Sequence, residues 1–104
     1  MKPSSLFLAT GLLLASQWAW AQDITWADDA ACIIFNSCVK CHNPDGVAPF
    51  SLMTYEQAYD KRALIGAYVE AGIMPPWPAS GGAQAFVNDN RLTETEIATI
   101  VAWV

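Results

Sequence analysis

Cys38-Val39-Lys40-Cys41-His42 is the stretch whose reading decides the fold. Two cysteines three residues apart at the end of a helix can each form a thioether to one of two vinyl groups on adjacent rings of a haem. The residue that follows, His42, is then forced beneath the iron as its proximal ligand. The expectation is one covalently bound haem c, attached through Cys38 and Cys41 with His42 as a metal ligand. Three other readings use the same residues. A thioredoxin-like redox couple wants a βαβ context. A zinc site would have to be completed by Cys32 and His42 without a second Cys-x-x-Cys. A plain Cys38–Cys41 disulfide is the third.

His42 is the only histidine, so a second imidazole cannot take the opposite face of the iron. Outside Met1, the thioethers are Met53 and Met74. Met53 sits in the apolar run Phe50, Leu52, Met53 and reads as core packing. Met74 sits in Ile73-Met74-Pro75-Pro76-Trp77-Pro78, where three prolines fix φ and stiffen the segment. That stiffness would hold a thioether sulfur over a haem face with little entropy loss, so Met74 is the expected second metal ligand. An open, exchangeable sixth position is the alternative. His/Met ligation leaves no site for substrate and favours reduced iron. The expectation is an electron carrier and not an enzyme.

Around this motif the pattern is helical. A first helix is expected from about Trp26 to Lys40, opened by Thr25, with Asp28 and Asp29 in the turn where negative charge suits the helix dipole. A second should begin at Thr54, with Gln57 completing a capping box, and end near Gly72. Its apolar stripe is Tyr55, Ala58, Tyr59, Ile65, Tyr68 and Val69. A third should start at Thr93 with Glu96 as box partner, where Ile97, Ile100, Val101 and Val104 follow helical spacing. No strand is expected. The turn-rich connection from Asn43 to Phe50 and the twenty-residue stretch from Ile73 to Leu92 read as backbone wrapped over a flat cofactor.

The first 21 residues read as a cleaved secretory signal peptide: Lys2, an apolar run from Leu6 to Ala15, and the small-x-small site Ala19-Trp20-Ala21. That run is far short of the roughly 20 residues needed to span a bilayer, so no permanent anchor is expected. The chain should be periplasmic or otherwise exported, the compartment in which haem is attached to such motifs. Residues 22–104 form the expected domain, with a last helix that looks cut short, as in a fragment of a longer protein. Four basic side chains (Lys40, Lys61, Arg62, Arg91) stand there against ten acidic ones, a net charge of −6. Nucleic acid is an unsuitable partner for such a surface. A redox donor or acceptor with a basic docking face would be steered in, although acidity also serves plain solubility. A domain this small needs a staple, and the odd number of cysteines, Cys32, Cys38 and Cys41, cannot form a complete disulfide framework in one chain.

Three segments, Cys38 to His42, Gly46 to Leu52 and Met74 to Pro78, together resemble the small all-helical cytochrome c family. The closer likeness is to class I-like cytochrome c domains with Cys-x-x-Cys-His, then Ala-Pro-Phe-Ser-Leu, then Met-Pro-Pro-Trp. Such domains often occur in larger exported proteins, some beside copper-dependent monooxygenase-like modules. The resemblance implies an all-α fold of about three helices wrapped round one haem, with Met74 as ligand. It also implies crossed first and last helices, setting Ile34 against Ile97, Ile100 and Val101. A backbone carbonyl near Pro49 would accept the His42 Nδ1–H bond. Cys32 has no role in that pattern; a free thiol and an intermolecular disulfide both stay open. Trp77, Arg91, Tyr55 and Tyr59 are candidate donors to haem propionates. For Trp77 apolar cover of the haem edge is the plainer role, for the tyrosines helix-face packing, and for Arg91 a solvated charge beside Asp89. Lys40 is expected to point to solvent. An electron-input domain of a larger oxidoreductase, and a haem enzyme or sensor with an open sixth position, are the rival functions.

Overall fold

The computed structural model describes residues 22–77 and 86–104. The expected signal peptide and Pro78 lie outside the described residues, which contain four helical segments and no strand. Helix α1 covers 26–38 and is built from a π-helical turn Trp26–Ala30, an α turn Ala31–Ile33 and a second π turn Ile34–Cys38. Helix α2 is Tyr55–Asp60, α3 is Arg62–Glu70 and α4 is Glu94–Trp103. The all-helical expectation holds for the described residues. None of these helices is long and apolar enough to cross a membrane.

The starts of the helices follow from their caps. Thr25 is extended, and its hydroxyl accepts the Asp28 N–H at 3.2 Å, with Asp28 and Asp29 in the first turn. Thr54 and Gln57 form a full capping box for α2, as Thr93 and Glu96 do for α4. Each box satisfies amides that a helix start would otherwise leave without partners. At the other end of α1 the Val39 N–H reaches back five residues to the Ile34 carbonyl at 3.1 Å. This widened turn ends the helix at Cys38, two residues before the expected Lys40.

The second expected helix is two helices. Lys61 breaks it, with φ −97° and ψ 4°. No Gly or Pro marks the break; side chains stabilise it. The Arg62 guanidinium donates to the Tyr59 carbonyl at 2.8 Å and lies over the Tyr59 ring at 3.9 Å. The Lys61 ammonium meets Asp60 at 2.8 Å, and its carbonyl restarts the ladder by accepting the Ile65 N–H at 2.9 Å. The stripe divides accordingly: Ala58, Ile65 and Val69 are buried, while Tyr55, Tyr59 and Tyr68 stay exposed.

One core joins the elements. Ile34 from α1, Leu52 from the following loop, Ala58 from α2, Ile65 and Val69 from α3, and Ile100 from α4 form a single buried cluster, with Ile97 packed against it. The expected Ile34 and Ile100 therefore sit in the same core, where they are its largest fully buried side chains. The first and last helices also meet through Trp26 and Trp103, whose ring centroids are 5.2 Å apart. Met53, expected in the core, is 48% exposed, because its backbone leaves Leu52 to enter the α2 cap, where Gln57 Oε1 accepts the Met53 N–H at 2.9 Å.

Replacing Ile100 by Ala deletes buried methyl groups from the point where α4 closes this core. The expected loss is about 2–5 kcal/mol in denaturant unfolding. A loss under about 0.5 kcal/mol would show that α4 is not part of the cooperative core.

Candidate functional site

A cavity of about 530 Å³ opens between the end of α1, the loop after it and α3. Cys38, Cys41, His42 and Met74 all line it. Most of its remaining lining is apolar, including Val47, Leu64 and Tyr68. These three are large hydrophobics that stay exposed, 92%, 46% and 41% accessible.

The wall bearing the cysteines is held by an almost complete set of hydrogen bonds at the end of α1. The Cys38 carbonyl accepts the amides of Cys41 at 3.1 Å and His42 at 2.9 Å. The Asn43 side-chain amide donates to the Val39 carbonyl at 2.8 Å and the Lys40 carbonyl at 3.2 Å. The Cys41 carbonyl accepts the Ala48 N–H at 3.1 Å, which folds the next loop back over the motif. Gly46 makes this crossing possible: a Cβ there would collide with the Cys41 carbonyl oxygen. These bonds answer the unsatisfied carbonyls of a helix end and fix the motif before any ligand arrives.

His42 is half-buried, its ring centroid 4.6 Å from that of Phe50. Its Nδ1 is 2.9 Å from the Phe50 carbonyl, which can only accept, so Nδ1 carries the proton and donates. The lone pair is thereby placed on Nε2, the tautomer needed for iron, and such an outer bond also raises ligand basicity. The acceptor is Phe50, the residue after Pro49; Pro49 itself lines the cavity.

Met74 is delivered by the end of α3. Gly72, at φ +70°, occupies the left-handed position that ends helices; its N–H bonds the Val69 carbonyl at 3.0 Å and the Ile73 N–H bonds the Tyr68 carbonyl at 2.9 Å. This is a Schellman termination. The Met74 N–H adds a further bond to the Tyr68 carbonyl at 3.2 Å, so its backbone is fixed from both the helix side and the proline side. Met53 is not among the lining residues.

Trp77 is half-buried and lies outside the cavity lining, edge-on to Phe86 at 6.3 Å. Among the described residues its buried indole N–H has no hydrogen-bond partner. Tyr55 and Tyr59 stack on each other and Tyr55 on Trp26, at 5.4 and 5.6 Å, as helix-face packing. Arg91 forks onto Asp89, with Nε–Oδ2 at 2.9 Å, and this guanidinium holds the Asp89 carboxyl below the usual carboxylate range. Lys40 is exposed but not free: its ammonium bonds Asn90 Oδ1 at 2.8 Å. Asn43 and Asn90 both bear on the motif, and sequence reading missed them. Asn43 had a local signal, an amide four residues beyond Val39 at a helix end; Asn90, fifty residues from Lys40, had none.

The donor set weighs on the other readings. Burial, followed by the neighbouring Cys41, pushes the Cys38 thiol up to about 11. A redox-active Cys-x-x-Cys instead needs a depressed thiol. Cys32 is exposed, and among the described residues no three His, Cys, Asp or Glu side chains gather as a metal-ligand group, as zinc would require. An apolar cavity lined by two thiols, one imidazole and one thioether offers the donor set that a haem c would use. Comparison with family models, curated proteins and solved structures gives no match for this chain, so its own residues carry the functional argument.

Gly46→Ala should displace the loop from Cys41, lowering stability by about 1–3 kcal/mol and broadening the Cys41, His42 and Ala48 amide signals by NMR. A variant with wild-type spectra would remove Gly46 from this account.

Proposed function

We propose that this chain is an exported electron-transfer protein of the c-type cytochrome kind, carrying single electrons on one covalently attached haem c. The observation that carries the reading is the shared cavity. It brings Cys38, Cys41, His42 and Met74 together from two separate segments, and leaves Met53 and Cys32 out of its lining. Cys38 and Cys41 would hold the haem through thioethers, and His42 and Met74 would be the iron's ligands. When bound, the haem supplies the one-electron iron couple; the chain's own residues orient it, exclude water and fix its ligands. If His42 and Met74 both held the iron, no position would be left for substrate, and the reading is of a carrier without turnover at the iron.

The acidic surface supports a redox partner with a basic docking face. Of the four cations in the described residues, Lys61 pairs with Asp60 and Arg91 with Asp89, while Arg62 covers Tyr59 and Lys40 is bound to Asn90. The acidic excess of the domain therefore faces outward and would steer a basic partner at low ionic strength. Residues 1–21, with their signal-peptide pattern, would take the chain to the periplasm or an equivalent compartment.

The test is expression with the leader in a host that matures c-type cytochromes, followed by optical spectra of both oxidation states. Wild type should carry haem that survives denaturation and is low-spin in both states. Met74→Ala should lose the weak far-red sulfur-to-iron band and lower the reduction potential, while Met53→Ala leaves both unchanged. High-spin wild-type haem would favour an open sixth position. Absence of covalent haem, in a host that loads a control cytochrome, would overturn the reading.

The docking claim has its own measurement. The rate of electron exchange with a basic redox protein should fall several-fold between about 10 and 200 mM salt, as screening shortens the reach of surface charge. A flat salt profile would show that the acidic surface serves solubility alone.

A further inference from the structure

Asn90 makes two long-range hydrogen bonds with one side-chain amide. Its Nδ2 donates to the Ser37 carbonyl at 3.0 Å, and its Oδ1 accepts from the Lys40 ammonium at 2.8 Å. Ser37 and Lys40 flank Cys38, and Ser37 and Asn90 both line the cavity with Cys38 and Met74. The Ser37 carbonyl belongs to the last turn of α1, whose final carbonyls have no helical partner of their own. Asn43 satisfies two of its neighbours from within the same loop; Asn90 reaches this one from the segment that leads into α4.

We propose that Asn90 is a positioning residue for the haem site, clamping the cysteine-bearing wall of the cavity to the segment before α4 and tethering the Lys40 ammonium to the same side chain. This rests on the haem reading above. The chemistry of the side chain is specific to the task. An amide of this length donates to a carbonyl and accepts from an ammonium at once; a carboxylate can only accept, and a leucine can do neither. The clamp grips residues before and after Cys38, the Ser37 carbonyl and the Lys40 side chain, and through them would bear on how that thiol is presented for thioether formation. In that step the Cys38 S–H adds across a haem vinyl group: a C–S bond forms, the thiol proton ends on the neighbouring carbon, and no external oxidant is consumed. The same clamp fixes the Lys40 cation on a residue of the cavity lining, and a fixed cation near a bound haem would favour its reduced state.

The experiment compares wild type with Asn90→Leu, Asn90→Asp and Lys40→Met, each purified as the full chain from the maturing host. Three readouts are taken: amide hydrogen exchange at Cys41 and His42, the share of chains with two thioethers by peptide mass, and the reduction potential. Asn90→Leu should exchange about tenfold faster at both amides, as expected for the loss of one good hydrogen bond, and should shift chains from double to single attachment. Asn90→Asp retains the Lys40 arm but sets an acceptor against the Ser37 carbonyl, so it should exchange like Asn90→Leu and, with a negative charge added at the cavity lining, show a potential below wild type. Lys40→Met keeps the Ser37 arm; its exchange should stay near wild type while its potential falls. A purely structural Asn90 would lower the melting temperature and leave potential and attachment pattern unchanged, and that result overturns the proposal. So would wild-type exchange rates in Asn90→Leu, or unprotected Cys41 and His42 amides in wild type. If Asn90→Leu does not fold, Asn90→Asp and Lys40→Met decide by the same criteria. If wild type carries no haem, the haem reading fails, and the exchange rates still judge the clamp by itself.

Discussion

The ending of α1 at Cys38 is the constraint on which the rest of the structure depends. A helix end leaves carbonyls without partners, and here they fall in and next to the five residues that carry the chemistry. Backbone amides of Cys41 and His42 take the Cys38 carbonyl, Asn43 takes those of Val39 and Lys40, Ala48 that of Cys41, and Asn90 that of Ser37. Each partner comes from a progressively later part of the chain. Satisfying one helix end therefore also folds the 43–50 loop, fixes the His42 tautomer through Phe50, and draws the segment before α4 onto the motif.

The core shows why this fold should want a large apolar guest. Its fully buried side chains are few, and only Ile34 and Ile100 among them are large. A domain of this size buries too little apolar surface to be comfortably stable alone. Beside that core lies an apolar cavity whose walls expose Val47, Leu64 and Tyr68. On the proposed reading the haem would be the other half of the core, covering these side chains. Stability and redox chemistry then share one group, and covalent attachment becomes a folding constraint as well as a means of retention.

How much of this was legible in the sequence depended on the range of the interaction. The capping boxes at Thr54 and Thr93, the Thr25 start and the Gly72 stop are local, and each stands where its spacing placed it. The cysteine motif and the stiff proline segment pointed to Cys38, Cys41, His42 and Met74, and the structure brings all four to one cavity. The break at Lys61 was not legible, because it is stabilised by Arg62 over Tyr59 and not by a breaker residue. Met53 was misplaced for a related reason. Its apolar neighbours suggested burial, but the demands of the α2 cap carry its backbone outward. Asn90 was beyond reach altogether, since nothing in a sequence announces a hydrogen bond across fifty residues.

The two proposed ligands are fixed by different devices with the same result. The imidazole of His42 is oriented by its bond to the Phe50 carbonyl, while Met74 is oriented through its backbone, between the Schellman end of α3 and Pro75. Neither arrangement depends on a bound metal, so on the proposed reading neither would have reason to change when an iron there gained or lost an electron. The loop that holds Phe50 is in turn tied to Cys41 through Ala48, and the segment before α4 is tied to Lys40 and Ser37 through Asn90. A ligand set held by hydrogen bonds that do not involve the metal keeps reorganisation small. On the proposed reading, that property would suit the site to passing electrons.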